Sequence, residues 1–482
     1  MARPRMIVLE LNEADRHFLD RYASSLPMFE RMRREGALVT TRVPGFVPGE
    51  GRDWRAITPW IIWPTLYTGM LPEAHGVVAF GQDTSALQGR CVWDVLDAEG
   101  LSVGVMGSLL SWPPRGRPAF YVPESLADDD ACVPERLRPL QRFLVESSRG
   151  YSEDPGPLAA AARALDLARS VGAGVRPTTA LRVLGQIPRE LAVGAHERAE
   201  RAVLQADVVR DAFVALVRER SPDFACVHSN HVAYMQHRYW RAAEPGRFAR
   251  GLSDTDARYF RSERDLVLWE TRLSDRVRGA FVHADRTLAQ LAELLDPEGV
   301  LVVVTALGQR PFDPVRGEID NPVVRLERAD ELFDAAGIPP RTVKHQMNPD
   351  LSLTFDDEAG AILGQQRAAE LSSRGRPLFF VQRRGRQVFL ELELPRDPLT
   401  ARVEDGRGLS IPLARHVALS PIPDQSTAQH RDEGVLLAWS PRRRLAARHA
   451  EIGVDEVAPT LLSFFGVGPR PWMREGARVA VA

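Results

Sequence analysis

The sequence predicts an α/β fold in which a doubly wound, mostly parallel sheet is flanked by helices and carries a smaller α+β insertion. Two patterns lead to this prediction. Short apolar runs that are typical of buried parallel strands alternate with longer segments of helical periodicity, which is the order of a doubly wound sheet. Between about residues 312 and 420 this alternation stops, and the hairpin-like stretch "PLFFVQRRGRQVFLELELP" indicates a separate small subdomain.

The predicted strands and helices follow one another along the whole chain. The strands are "MIVLEL" (6–11), "LSVGVMGS" (101–108), "DFACVHSN" (223–230) and "GVLVVVTALG" (299–308). Helical patterns cover the segment that ends at Gly36, "PWIIWPTLYTG" (59–69), residues 156–220, "GAFVHADRTLAQLAELL" and the final "VDEVAPTLLSFFGV". We therefore expect an α/β core at 1–311 with a helical insertion at about 150–220, a small α+β cap subdomain at 312–420, and the C-terminal part of the core at 421–482.

Composition and charge narrow the class of protein. The chain has 482 residues, is 44% hydrophobic and 26% charged, and has a net charge of −2, so nothing attracts it electrostatically to nucleic acid or to an anionic membrane. Its three cysteines lie far apart without zinc or redox spacing, which favours a reducing compartment. The first apolar run is too short for a signal peptide, and no run of about 18 apolar residues follows. We expect a cytoplasmic protein, and the sequence leaves its oligomeric state open.

Polar residues follow the predicted strands, at the edge where open α/β sheets bind their ligands. The stretch "HSNHVAYMQHRYW" (228–240) alone holds three of the 11 histidines. The candidate site residues are Asn12 and Glu13 after the first strand, Asn230 and His231 after the third, Gln309 after the fourth, and Thr58 in the loop before a helix. Glu13 could act as a general base, or it could simply be an acid that complements a helix N-terminus.

Several motifs together resemble the type I phosphodiesterase/nucleotide pyrophosphatase branch of the alkaline phosphatase superfamily. They are "LPMFERMRREG", "PTLYTGMLPEAHGV" (64–77), "QHRDEG" (429–434) and "DEVAPTLLSFFGVGPRPWMREG" (455–476), which occur in the family's order. The resemblance implies phosphoester or phosphodiester hydrolysis by two metals, usually zinc, and a Thr or Ser nucleophile at the strand ends.

The positions that should hold these two metals depart from the family's pattern. The ligands of one metal fall on Asn12, Ala306 and Leu307, and those of the other fall on Ala233, His237 and His430. A gapless count places the nucleophile on Pro59, so Thr58 fits only after a shift of one residue. Because Ala and Leu offer no ligand atom, we expect one divalent metal, zinc by the resemblance, or none. Glu13 could replace the aspartate that the resemblance implies at Asn12. Restoring a single ligand should not recover the second metal.

The sequence leaves two functions open. In the first, His237, His430 and His231 form a three-histidine site with an open position, as in catalytic zinc centres. Thr58 is then the nucleophile and Glu13 the general base, while Asn12, Asn230 and Gln309 contact a small phosphate or sulfate ester. His231 could instead be an ordinary polar loop residue. In the second, the chain is a non-catalytic descendant that binds a phosphorylated or sulfated metabolite or a protein partner.

Overall fold

The computed structural model describes residues 5–46, 57–77, 84–114, 116–125, 127, 130–149, 157–248, 251–252, 256–312, 324–345, 350–393, 398–419, 427–474 and 477–481. Its helices are α1 (Arg16–Arg21), α2 (Pro27–Glu35), α3 (Pro59–Thr68), α4 (Pro72–His75), α5 (Val92–Ala98), α6 (Arg138–Arg149), α7 (Pro157–Ser170), α8 (Pro177–Leu184), α9 (Gln186–Val193), α10 (Glu200–Arg220), α11 (His231–Ala243), α12 (Glu263–Leu273), α13 (Arg276–Ala292), α14 (Ala329–Ala335), α15 (Glu358–Glu370) and α16 (Val457–Ser463). Its strands are β1 (Met6–Leu11), β2 (Ala37–Arg42), β3 (Val103–Met106), β4 (Phe120–Val122), β5 (Phe224–Ser229), β6 (Val300–Val304), β7 (Gly308–Pro311), β8 (Val324–Leu326), β9 (Thr342–His345), β10 (Leu351–Thr354), β11 (Ser372–Ser373), β12 (Arg376–Pro377), β13 (Phe379–Arg384), β14 (Gln387–Leu392), β15 (Arg402–Glu404), β16 (Ser410–Pro412), β17 (Val417–Leu419), β18 (Ala428–Arg431), β19 (Glu433–Trp439) and β20 (Glu451–Gly453).

An eight-stranded sheet forms the centre of the molecule, in the order β20-β2-β19-β6-β1-β5-β3-β4. Strand β1 runs parallel to both of its neighbours, β5 and β6, and β5 runs parallel to β3. Only β19 runs antiparallel, between β6 and β2. The predicted fold class, a mostly parallel sheet flanked by helices with smaller antiparallel sheets beside it, is confirmed.

Helices cover both faces of the sheet, and the side chains of β1 alternate between two cores. Ile7, Leu9 and Leu11 pack with α10, α11 and α13, whereas Met6 and Val8 pack with α3, α5 and α16. Every residue of β1 is buried, as expected for a central parallel strand covered on both faces. Each aliphatic side chain buried in this way contributes about 1.5–3 kcal/mol.

Two features of the core were not expected from the local patterns of the sequence. The helical segment that ends at Gly36 is broken, because Pro27 begins a second helix and α1 ends at Arg21. Strand β2 then follows Gly36 and pairs with β19, a pairing of distant segments that local patterns do not indicate. A Cβ atom on Gly36 would lie 2.1 Å from the carbonyl oxygen of Ala438 in β19, so only glycine allows this approach.

Residues 324–419 build small antiparallel sheets with a core of their own. Two four-stranded sheets have the orders β13-β14-β10-β9 and β12-β11-β15-β16, and β8 pairs with β17. Leu332, Leu353 and Val388 lie in a third apolar cluster, which is separate from those of the central sheet. The expected boundary at 311/312 falls at the end of β7, and the expected boundary at 420/421 lies outside the described residues. The hairpin of β13 and β14 reaches the core, where the Arg384 guanidinium lies against Gly76.

Two remaining observations concern the cysteines and the helices. Cys91, Cys132 and Cys226 are buried, and none of them forms a disulfide. Among the described residues, we find no helix with both the length and the apolar character needed to span a membrane.

A buried carboxylate after β4 faces the small subdomain. Burial raises the pKa of Glu124 to about 7, although Lys344 in β9 opposes this shift. The Oε2 atom of Glu124 has no hydrogen-bond partner among the described residues. A carboxyl group whose pKa is higher in the folded protein than in the unfolded chain makes its full contribution to stability below the pKa of the unfolded chain. That contribution is lost as the pH rises through the pKa of the folded protein.

We expect Glu124→Gln to leave stability at pH 4 unchanged and to raise it at pH 8 by about 3 kcal/mol, because the amide needs no costly ionisation. Urea unfolding at the two pH values measures this difference. Glu135→Gln is the control, since that side chain is 83% exposed and should change stability little at either pH. An equal effect of Glu124→Gln at both pH values would contradict the prediction.

Candidate metal and active site

The loops after β1, β5 and β6 meet at the carboxyl edge of the sheet. The backbone amide of Asn12 donates to the carbonyl of Ser229 at 3.1 Å, and the backbone amide of Glu13 donates to the carbonyl of Thr305 at 3.0 Å. Glu13 has a φ of 55°, in the left-handed region, which costs a non-glycine residue roughly 1–2 kcal/mol. This backbone turn directs the Glu13 carboxylate across the strand ends instead of along β1.

Glu13, His237 and His430 converge at this edge, and we call them the strand-end triad. The Nε2 atoms of His237 and His430 lie 2.8 and 3.4 Å from Oε2 of Glu13. The two imidazole centroids are 5.3 Å apart with nearly perpendicular rings. Ligand atoms of all three residues lie within 4.8 Å of one another. His237 and His430, which are far apart in the sequence, are therefore neighbours in the structure.

Different parts of the fold hold the two histidines in place. His430 lies in β18, where it pairs with Gln309 of β7. His237 lies one and a half turns into α11, and its backbone carbonyl accepts a hydrogen bond from Oγ1 of Thr427 at 2.9 Å. The segment that carries His430 is thus bound both to a short antiparallel strand and to the helix of His237.

The Glu13 carboxylate is buried but fully hydrogen-bonded. Gln309 Nε2 donates to Oε2 at 2.6 Å, and Asn12 Nδ2 donates to Oε1 at 2.9 Å. Burial alone would raise the pKa of Glu13, but His430 and His237 together outweigh it and hold this pKa well below its usual range. Glu13 is therefore an anion over the physiological range, so the site presents one negative charge to a cation.

The donor set and its orientation fit a divalent metal. His237 Nδ1 lies 2.9 Å from the carbonyl oxygen of Ala428, which can only accept, so this nitrogen carries the proton. In the neutral ring the lone pair then lies on Nε2, which points at Glu13. Metal-bound histidines are commonly oriented in this way by a backbone carbonyl. Two imidazoles and one carboxylate form the ligand set of several catalytic zinc sites that keep a fourth position open.

His231, which we expected as a third histidine ligand, makes its contacts elsewhere. Its Nδ1 lies 2.8 Å from Ser229 Oγ, and its Nε2 lies 3.1 Å from the carbonyl of Ala280 and 3.2 Å from Nδ1 of His283. The physical reason is that α11 begins at His231, so His237 six residues later lies on a different face of the helix. Burial and His283 lower the pKa of His231 to about 3, so it is a neutral core histidine.

Apolar side chains and an indole lie at Asn12, Ala306 and Leu307, the positions that correspond to the family's other metal site. Ala306 and Leu307 are at most 1% exposed and belong to the core under α3. The indole Nε1 of Trp63 donates to Oδ1 of Asn12 at 2.8 Å. Asn12 Nδ2 also donates to Oδ1 of Asn230 at 2.7 Å. Both polar ends of the Asn12 side chain thus have protein partners.

The other candidate residues have distinct environments. Thr58 caps the N-terminus of α3 without a side-chain capping bond, and its buried Oγ1 has no partner among the described residues. Most of the loop before it, residues 47–56, lies outside the described ranges. Asn230 contacts Asn12, and Gln309 contacts Glu13. Asn12 and Gln309 therefore fix the Glu13 carboxylate, a contact that the sequence alone did not indicate.

Comparison with known proteins decides the family. A model of the type I phosphodiesterase/nucleotide pyrophosphatase family matches residues 6–359, well over half of the chain. The chain belongs to this family. The resemblance indicated by the motifs is confirmed, and the family lies within the alkaline phosphatase superfamily. No curated protein matches the chain.

Two solved structures align with most of the chain at low similarity. They are phosphonoacetate hydrolase from Sinorhizobium meliloti 1021 in complex with phosphonoformate and in complex with phosphonoacetate. Each alignment covers 91% of this chain and 90% of that chain, at 15% sequence identity and a TM-score of 0.37.

Membership of the type I phosphodiesterase family makes one substitution in the site notable. Ala233 occupies the position where the resemblance implies an aspartate ligand beside His237 and His430. The strand-end triad has a carboxylate nevertheless, supplied by Glu13 from the loop after β1. Gln309 bridges the two positions, because its Nε2 donates both to Glu13 Oε2 and to the carbonyl of Ala233 at 3.1 Å.

Proposed function

We propose that this chain is a phosphodiester hydrolase of the type I phosphodiesterase family that uses a single divalent metal, zinc, held by Glu13, His237 and His430. The observation that carries the proposal is the convergence of one buried carboxylate and two imidazoles at the strand ends. The family supplies the reaction class, in which water cleaves a P–O bond to give a phosphomonoester and an alcohol.

The bound cation would polarise a phosphoryl oxygen of the substrate. The residues around it have separate tasks. Gln309 and Asn12 each donate to one oxygen of Glu13, so they orient the carboxylate in the site. The Ala428 carbonyl holds the ring of His237 with Nε2 toward the site. Asn230 and the exposed edges of His237 and His430 are the groups that we propose to meet the substrate.

Thr58 is the proposed nucleophile. Its hydroxyl lies at the N-terminus of the ten-residue helix α3, where the helix dipole favours an anionic phosphate. The hydroxyl has no competing partner among the described residues. The Thr58 oxygen would attack phosphorus and break one P–O ester bond, and its proton would pass to the alkoxide that leaves as the alcohol. Water would then cleave the bond between Thr58 and phosphorus, which releases the phosphomonoester and restores the hydroxyl. Because Glu13 is assigned to the metal, we do not retain it as a general base.

A non-catalytic role is the alternative, and one observation favours it. The Oγ1 atom of Thr58 is buried, and Trp63, Ala306 and Leu307 close the neighbouring part of the site. A site built in this way could bind a phosphorylated or sulfated metabolite without cleaving it. Assays with a sulfate ester as well as a phosphodiester separate sulfate ester hydrolysis from both of these roles.

The test is hydrolysis of a bis-nitrophenyl phosphodiester by protein purified without chelator. We expect activity that chelation removes and that zinc restores, with weak or no activity on a nitrophenyl phosphomonoester. Thr58→Ala should reduce the rate while metal content stays unchanged. Metal binding without hydrolysis of phosphodiesters or sulfate esters would overturn the hydrolase proposal and support the binding role.

A further inference from the structure

The chain contains a single lysine, and it lies in the small subdomain on the side of the central sheet. Of the 62 lysine and arginine residues, only Lys344 is a lysine. A position that needs no more than a positive charge can be filled by either residue, whereas a buried lysine can lose its proton and an arginine cannot. The composition therefore points to Lys344 as a position that needs an amine and not simply a cation.

The register of β9 directs Lys344 away from the core of the small subdomain. Val343 packs against the third apolar cluster, and successive side chains of a strand point to opposite faces of the sheet. Lys344 pairs with Ser352 of β10, which is only 3% exposed although it is polar. The face of the sheet that carries Lys344 is consequently covered as well, and Lys344 itself is half-buried.

The charge that acts on Lys344 is that of Glu124, in the loop after β4. The Glu124 side chain is 7% exposed, and Gln141 Nε2 holds its backbone by donating to its carbonyl at 3.0 Å. The Oε2 atom of Glu124 is buried and accepts no hydrogen bond from the described part of the chain. Buried carboxyl oxygens are normally paired, so this one is available to a ligand.

An ordinary ion pair does not account for this arrangement. Two buried carboxylates elsewhere in the chain are paired directly by arginine, Asp211 by Arg176 at 2.6 Å and Asp256 by Arg241 at 2.9 Å. Arginine suits such pairs because its planar guanidinium offers several donors in a fixed geometry. At Glu124 the chain has a lysine in place of an arginine, and the Oε2 atom is left for another donor.

Burial favours the neutral forms of both groups. It lowers the pKa of Lys344, although the Glu124 carboxylate opposes this shift. Burial also raises the pKa of Glu124 to about 7, although its own backbone amide and Lys344 act in the opposite direction. The pair can therefore present an unprotonated amine together with a carboxylic acid. An unprotonated amine is the nucleophile that condenses with carbonyl groups, and an acid beside it speeds the loss of water.

We propose that Lys344 is a reactive amine that binds an aldehyde or a ketone covalently as an imine, with Glu124 as the group that donates and accepts the proton. Nζ of Lys344 attacks the carbonyl carbon, and one of its protons moves to the carbonyl oxygen to give a carbinolamine. Glu124 donates its proton to that hydroxyl, which leaves as water while the C–N bond becomes double. The remaining N–H proton then returns to Glu124, so amine and carbonyl yield an imine and water.

This reactive amine is distinct from the strand-end triad. Glu124 follows β4, the outermost strand of the central sheet, which lies three strands from β1. At about 4.8 Å for each step between strands, the two places are on the order of 14 Å apart. The inference therefore does not rest on the proposed hydrolase activity.

Reductive alkylation of the full chain with propionaldehyde and excess sodium cyanoborohydride tests the amine, because imine formation then limits the rate. Peptide mass spectrometry separates Lys344 from the α-amino group. The variant Arg341→Lys supplies a reference amine in the same molecule, at a side chain that is 66% exposed just before β9. We expect Lys344 to react at least ~10-fold faster than this reference at pH 7, since each unit by which a pKa falls raises the unprotonated fraction about tenfold.

Glu124→Gln tests the proton donor. It should slow the alkylation of Lys344 at least ~10-fold, although loss of the carboxylate charge alone would leave more of the amine unprotonated. Glu135→Gln is the matched control, since that side chain is 83% exposed, and it should leave the rate unchanged. Circular dichroism checks that each variant is folded.

Two results would overturn the proposal. The first is that Lys344 reacts no faster than the amine introduced by Arg341→Lys, a comparison that needs no change at Lys344 or Glu124. The second is that folded Glu124→Gln reacts at the wild-type rate, because Glu124 would then take no part in the proton transfer.

Discussion

Replacing Glu13 with Gln is expected to lower the affinity for zinc by at least ~100-fold. Substitutions outside the direct ligands of a metal commonly cost 10–100-fold, and loss of a ligand's charge should cost no less. His237→Gln and His430→Gln should have effects of similar size, since each removes one of three ligands. Competition for zinc with a chromogenic chelator at neutral pH measures all three affinities. Hydrolysis of the phosphodiester should fall in parallel with the bound metal.

A matched control lies in β1, the strand that precedes Glu13. Glu10 is as buried as Glu13, at 3% exposure, but its carboxylate accepts a hydrogen bond from Ser108 Oγ at 2.8 Å and contacts His228. Glu10→Gln should therefore keep zinc affinity within a few-fold of the wild type. His416→Gln, in the small subdomain, is the control for the histidines. Unchanged affinity in Glu13→Gln would remove Glu13 from the proposed ligand set.

Trp63→Ala is expected to destabilise the protein by about 3–5 kcal/mol. Trp63 is completely buried, and its removal leaves a large cavity under α3. The change also removes the indole donor to Oδ1 of Asn12. Trp63→Phe keeps most of the apolar volume but still leaves this oxygen without its donor, so it should cost about 1–3 kcal/mol. Chemical denaturation of the three proteins gives the two free energies.

Trp93 provides the comparison that isolates the hydrogen bond. It is 2% exposed, and its Nε1 has no hydrogen-bond partner among the described residues. Trp93→Phe removes the same atoms at a similar depth without breaking such a bond, so it should be the milder change. If the two Trp→Phe variants lose the same stability, the Asn12 contact contributes nothing measurable.

Much of the site could be predicted because it depends on local patterns. The apolar runs of β1, β5 and β6 place their ends at one edge of the sheet, and the resemblance to the family's motifs selects His237 and His430. Local patterns left the role of Glu13 open and did not indicate that its carboxylate lies beside the two histidines. Its carboxylate reaches the histidines only because its backbone adopts a positive φ, and no residue type other than glycine signals that conformation reliably.

Two other features depend on information that local patterns do not contain. The contacts of His231 depend on the residue at which α11 begins. Each residue of a helix is rotated by about 100° from the one before it, so a shift of the boundary by one residue changes the face on which a side chain lies. Strand β19 lies between β6 and β2 through pairing of segments about 400 residues apart in sequence. The exposed apolar face of α8 and α9 has a helical period, but its direction depends on contacts with α10, a hydrogen bond from Thr179 to Asp211 and an ion pair between Arg182 and Asp207.

Anomalous diffraction at the zinc edge, from crystals grown with zinc, tests the one-metal site most directly. We expect a single peak at about 2.0–2.2 Å from a Glu13 oxygen and from Nε2 of His237 and His430. We expect no peak beside Asn12, Ala306 and Leu307, where Trp63 and apolar side chains lie. Two peaks, or one peak bound by other residues, would contradict the one-metal site.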